Sequence, residues 1–194
     1  MSPMEYEVSD HEVIASQQVF DGNVVKLFLD DVRLPDGRTV RWESVKHPGA
    51  VGMVPLRDDG SVLMVRQYRH AVRGVLLEIP AGKLDQGEEP IECARRELAE
   101  EVGMKAAETV LLSEFYNSPG HSNERFFIYV CTGLSEAPGA PDPDEFLDVV
   151  TLPLEDGLAM IADGRIRDAK SIIGLTLARA FRRGETGPVS GSGA

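Results

Sequence analysis

Apolar and polar positions alternate through much of the first third of the chain, and a spacing near 3.6 residues replaces that alternation at three places further on. Residues 11–20 and 23–34 read as strands separated by Asp21-Gly22. Pro35-Asp36-Gly37 predicts a turn, because proline presets φ and glycine tolerates positive φ, and residues 38–47 return as a third strand. Residues 50–56 and 61–69 flank Asp58-Asp59-Gly60 and predict a hairpin. Residues 75–79 form a short strand that runs into Pro80-Ala81-Gly82. Strand patterns come again at 108–116, 124–132 and 146–152, and in the second Phe126, Ile128 and Val130 alternate with Phe127 and Tyr129.

Helical spacing marks residues 154–162 and 169–182, the latter closing with Arg179, Arg182 and Arg183 before Gly184, a helix stop. The remaining helix follows Gly82. Pro90 suits a first turn and Gly103 suits a left-handed residue just past the end. Ile91, Ala94, Leu98 and Val102 share one arc and predict its buried stripe. Strands, one helix, more strands and then helices predict an α+β fold layered around a mixed sheet. The organisation expected is an N-terminal antiparallel β subdomain over 1–47, a main domain over 48–184, and a flexible Gly/Ser-rich tail over 185–194.

The polar side of the middle helix changes the picture. Glu97 and Glu101 lie one turn apart with Glu100 beside them, and at about 100° per residue the three fall within an arc of roughly 100°. Like charges four apart cost about 0.2–0.5 kcal/mol in a bare helix, and most glutamate runs are simply solvated faces. A bound divalent cation reverses that sign and requires oxygen ligands so arranged.

Composition narrows the options. The chain has 194 residues, 42% of them hydrophobic, enough for one cored domain and a small appendage. No run approaches the 18 or so apolar residues of a membrane helix, and MSPMEYEVSD has neither the basic nor the apolar region of a secretory leader. Two cysteines, Cys93 and Cys131, are too few for a disulfide framework and predict cytoplasmic thiols. His11, His47, His70 and His121 are scattered without zinc spacing. A net charge of −12 and a pI near 4.8 argue against a nucleic-acid partner, which calls for a basic stripe. A small diphosphate ester is still admissible where a metal and a few arginines neutralise it locally.

Residues 82–104 read GKLDQGEEPIECARRELAEEVGM. This segment resembles the Nudix box, G-x5-E-x7-R-E-U-x-E-E-x-G-U with U aliphatic, at every defined position, including Gly82, Glu88, Arg96, Glu97, Glu100, Glu101 and Gly103, with Leu98 and Met104 as U. Seven specified residues at about 1/15 each make a chance match of order 10⁻⁸ per window. The resemblance implies an α/β/α sandwich and metal-dependent hydrolysis of a nucleoside diphosphate linked to another group. Outside the box, Gln67-Tyr68-Arg69, the run from Leu76 to Asp85 that contains Glu78, Asp168-Ala169-Lys170-Ser171, and Pro119 sixteen residues beyond Gly103 resemble the ADP-ribose pyrophosphatase group. Trp42-Glu43 resembles that group's adenine site, with the indole stacked on the base and the carboxylate accepting from the exocyclic amine.

The same resemblance implies the chemistry. ADP-ribose and water give AMP and ribose 5-phosphate, with two or three Mg²⁺ ions (or Mn²⁺) held by Glu97, Glu100, Glu101 and the Ala81 carbonyl. Arg96 and Glu88 orient those carboxylates. Arg69, Glu78, Trp42, Glu43 and Pro119 are expected to serve the substrate. The base is Glu145, in the acidic loop 141–148, or Glu100. The group's homodimers exchange N-terminal strands, which implies that Trp42 and Glu43 act across an interface. Three positions depart from many relatives: His121 and Asn123 after Pro119, and Asn23 where some carry a second adenine-facing aromatic. The alternatives are a hydrolase of another nucleoside diphosphate sugar such as GDP-mannose, and a ligand sensor that kept the fold without catalysis.

Overall fold

The computed structural model describes residues 9–137 and 147–187. The described chain falls into two compact units, one made of the residues up to Gly49 with Phe115–Arg125, the other of Ala50–Glu114 with the residues from Phe126 onward.

The first unit is an antiparallel meander of β1 (Glu12–Asp21), β2 (Lys26–Arg33) and β3 (Thr39–Lys46). The turn at 35–37 forms as its residues require, with Gly37 at φ 86°. Register pairs Asp30 with Trp42 and Ser16 with Asp30, so these side chains share one face of the sheet. The Ser16 and Ser44 hydroxyls each donate to Asp30 at 2.5 Å. A loop from the later chain clamps β3: Val45 N–H donates to the His121 carbonyl at 2.7 Å, and His47 N–H to Asn123 Oδ1 at 2.8 Å. Every residue of β1 is exposed.

The second unit holds two sheets. One has the order β7 (Ala81–Lys83), β4 (Ala50–Pro55), β9 (Arg125–Glu136), β8 (Met104–Tyr116), with β4 and β9 parallel. The other has the order β10 (Leu147–Pro153), β5 (Ser61–Arg69), β6 (Gly74–Glu78). Helix α1 (Pro90–Val102) covers one face of the first sheet, where Cys93, Ala94 and Leu98 meet Val51, Met53, Phe127 and Tyr129. Helix α3 (Ala169–Arg182) covers the other, its Gly174 closing on Val54 and Ile128; α2 (Leu154–Ala162) lies against α3. Both alternating sets of β9 are therefore buried. The architecture is the expected α/β/α sandwich around a mixed sheet.

One expectation fails. Residues 50–56 and 61–69 do not form an extended hairpin: the turn closes, with Arg57 N–H donating to the Ser61 carbonyl at 2.8 Å, but beyond the isolated bridge Leu56–Val62 the strands β4 and β5 pair in different sheets. A strand buried on both faces gains most as the centre of a covered sheet, and the partners available to β4 there are β9 and β7.

Candidate active site

Helix α1 places the acids. Its polypeptide enters through Pro90 and leaves through Gly103 at φ 65°, whose N–H returns to the Ala99 carbonyl. The stripe forms as its spacing predicts, with Ala94 and Leu98 in the core and Ile91 and Val102 flanking it. Cys93 adds to it. Glu101 sits on the buried side, and its Oε2 accepts from the Ala81 N–H at 2.9 Å, which ties helix to strand β7.

Arg96 gathers the other carboxylates. It meets Glu88 through two hydrogen bonds of 2.9 and 3.0 Å, while its Nη1 donates to Glu97 at 2.7 Å and Glu100 at 2.9 Å. Paired in this way, Glu88 has its pKa lowered to about 2 by the guanidinium. Burial and the nearby Glu88 charge push the Cys93 thiol up to about 12, so it stays protonated and unreactive. Glu97 lies hard against the backbone of β7: a Cβ on Gly82 would fall 1.9 Å from its carboxyl carbon. The glycine of the box is thus a space into which Glu97 fits.

The donor set is all oxygen, as a hard divalent cation requires. Among the described residues no three His, Cys, Asp or Glu side chains form a ready cage. Arg96 holds Glu97 and Glu100 together, and the Gly82 recess keeps Glu97 beside the backbone of residues 81–82.

A second cluster stands in the same unit. Arg69, at the end of β5, donates through Nε and Nη2 to Glu78, with the closest distance 2.8 Å. Lys170 of α3 reaches the same carboxylate and also Asp168, at 2.9 Å. Glu78 is 1% exposed; burial alone would raise its pKa, but Arg69 and Lys170 outweigh that and hold it below the usual carboxylate range. Glu78 thus braces Arg69, the residue at the end of β5. Asp168 caps α3 by accepting from Ser171, and the Ser171 hydroxyl accepts from the Ile79 N–H at 2.8 Å. Asp168, Lys170 and Ser171 were legible only as a helix motif; their link to the strand before Ala81 joins residues 92 apart and leaves no local signal.

In the first unit a pocket of about 870 Å³ is lined by Trp42, Glu43, Asp30, Pro119 and His121, among others. Trp42 is half-exposed and shares its sheet face with Asp30 and Ser44, whereas Glu43 alternates to the opposite side of β3 and borders the pocket from there. Asn123 has a structural task, accepting from the His47 N–H. Glu145 lies outside the described residues.

A NUDIX domain model matches residues 46–173, which span the box, β5, β6 and the start of α3. The chain belongs to the NUDIX family. It is 42% identical to the methanol dehydrogenase activator of Bacillus methanolicus, covering 84% of this chain and 90% of the relative. It is 40% identical to the ADP-ribose pyrophosphatase of Bacillus subtilis, covering 84% and 89%. GDP-mannose pyrophosphatase of Yersinia enterocolitica matches at 37% over less, 68% of this chain and 73% of the relative. A crystal structure of an ADP compounds hydrolase superposes with a TM-score of 0.82 at 23% identity, covering 93% of this chain and 98% of that one, and so shares the NUDIX fold. Among the described residues no helix is long and apolar enough to cross a membrane. Because these relatives bear different functional names, the side chains outside the box have to choose among them.

Proposed function

We propose that this NUDIX hydrolase cleaves the pyrophosphate of ADP-ribose to AMP and ribose 5-phosphate. The observation that carries the reading is the pairing of an intact acid box, braced by Arg96, with an exposed Trp42 beside acidic side chains in a pocket large enough for a nucleoside. Glu97, Glu100, Glu101 and the Ala81 carbonyl would hold Mg²⁺, or Mn²⁺ in its place. When bound, two or three such ions would neutralise the diphosphate and lower the pKa of a water. Arg96 and Glu88 keep the carboxylates in register. Arg69, fixed on two nitrogens by Glu78, presents positive charge to a phosphoryl oxygen. Trp42 stacks on the base, with Glu43 and Pro119 at the pocket border. Either Glu145 or Glu100, which is 36% exposed at its side chain, takes the proton of the attacking water.

The proposed form is a cytoplasmic homodimer that exchanges N-terminal strands. Its support is β1, exposed along its whole length and carrying Val13, Ile14, Val19 and Phe20 in the open. Side-by-side kinetics on ADP-ribose and GDP-mannose in Mg²⁺ test the substrate. ADP-ribose should have the higher kcat/KM, and faster turnover of the GDP-sugar would sink the adenine reading of Trp42.

A further inference from the structure

Lys170 is the only basic side chain buried among the described residues, and no role above explains why a charge is there. Burying an ammonium is costly unless its pairing returns something. The start of α3 is already fastened to the sheet without it. The Ser171 hydroxyl accepts from the Ile79 N–H at 2.8 Å and donates to Asp168 at 2.6 Å. What Lys170 adds is a positive charge, placed 2.5 Å from Glu78 Oε2 and 2.9 Å from Asp168 Oδ2. Arg69 is the outermost member of the cluster, its side chain 38% exposed against 1% for Glu78 and 11% for Lys170.

Glu78 engages Nε and Nη2 of Arg69 and leaves Nη1 clear of it. Taken alone, these two residues are a closed ion pair. Opposite charges in contact cancel at longer range, so an anion approaching Arg69 would meet little net attraction. Lys170 changes that balance by claiming the same carboxylate from the inner side. Asp168 would cancel Lys170 in turn, but it caps α3, where the helix N-terminus carries roughly half a positive charge. The surplus positive charge then falls at the open end of the cluster, on the guanidinium. We propose that Lys170 is a positioning residue that, by neutralising Glu78 from inside, frees the charge of Arg69 for the anionic phosphoryl oxygens of a nucleoside diphosphate. This inference rests on the assignment of Arg69 to the substrate phosphate.

Steady-state hydrolysis of ADP-ribose in Mg²⁺ is compared for the wild-type chain, Lys170→Met, and Lys170→Met combined with Glu78→Gln, with urea unfolding run alongside. Lys170→Met closes Arg69 into its pair with Glu78, so KM should rise about tenfold while kcat stays within about threefold. Glu78→Gln removes the cancelling charge, and its amide oxygen can still accept from Arg69. The double variant should therefore return to within about threefold of the wild-type KM. If Lys170→Met does not fold, Lys170→Gln, which can still donate a hydrogen bond to Glu78, takes its place with the same expectation. An unchanged KM in the folded variant, or a fall in kcat alone, would overturn the proposal and leave Lys170 a structural pin. A KM raised equally in the single and double variants would show that Lys170 acts through the placement of α3, again overturning it. No turnover of ADP-ribose by the wild-type chain would overturn the functional reading and this proposal with it.

Discussion

At the scale of single residues, Gly82 and Glu97 explain each other. The recess left by the missing Cβ receives the Glu97 carboxyl group, and Gly82 does not adopt positive φ, so its use here is space rather than backbone freedom. Alanine at 82 is therefore tolerable to the backbone but must push Glu97 out of place. Displacing one reactive group by about 1 Å can cost on the order of 10²-fold in rate. Gly82→Ala should lower kcat/KM by about that factor while shifting the urea midpoint little, because the end of a flexible side chain can move aside. A large loss of stability with activity per folded molecule preserved would show that the recess serves packing alone. Arg69 shows the same logic in reverse: Glu78, itself paired with Lys170, fixes it by charge, where Gly82 guides Glu97 by shape.

At the scale of elements, α1 carries the site because three of its sides have different partners. Cys93, Ala94 and Leu98 bury it, Glu101 fastens it to β7, and Arg96 binds Glu88 from the loop before it. The last contact predicts a pH effect. The folded-state pKa of Glu88 is lowered from 4.5 to about 2, so its contribution is fully present above about pH 4.5 and disappears as pH falls towards 2. Glu88→Gln should destabilise the chain at pH 7, and its deficit against wild type should shrink between about pH 4.5 and 2.5. Urea unfolding at several pH values measures it, and a deficit constant with pH would refute the ion pair. This helix was legible because proline, glycine, acids and apolar stripe all lie within two dozen residues. The hairpin of 50–56 and 61–69 was misread because the ladder of β4 is set by β9, more than seventy residues later, and an adjacent turn says nothing about that partner. The short strand β7 and the grip of Lys170 on Glu78 stayed hidden for the same reason.

At the scale of the whole molecule, the net charge of −12 sets the terms. A chain this acidic does not draw an anionic substrate from a distance, so the proposed function requires local cations, Arg69 and a metal that the box would hold. The open face of β1 predicts a dimer by light scattering at micromolar concentration, and a monomer there would contradict strand exchange. The most direct test of the account as a whole is phosphorus NMR of ADP-ribose incubated with the full chain and Mg²⁺. The two pyrophosphate signals should give way to two phosphomonoester signals, those of AMP and ribose 5-phosphate. Pyrophosphate signals that persist unchanged while the protein remains folded would contradict it.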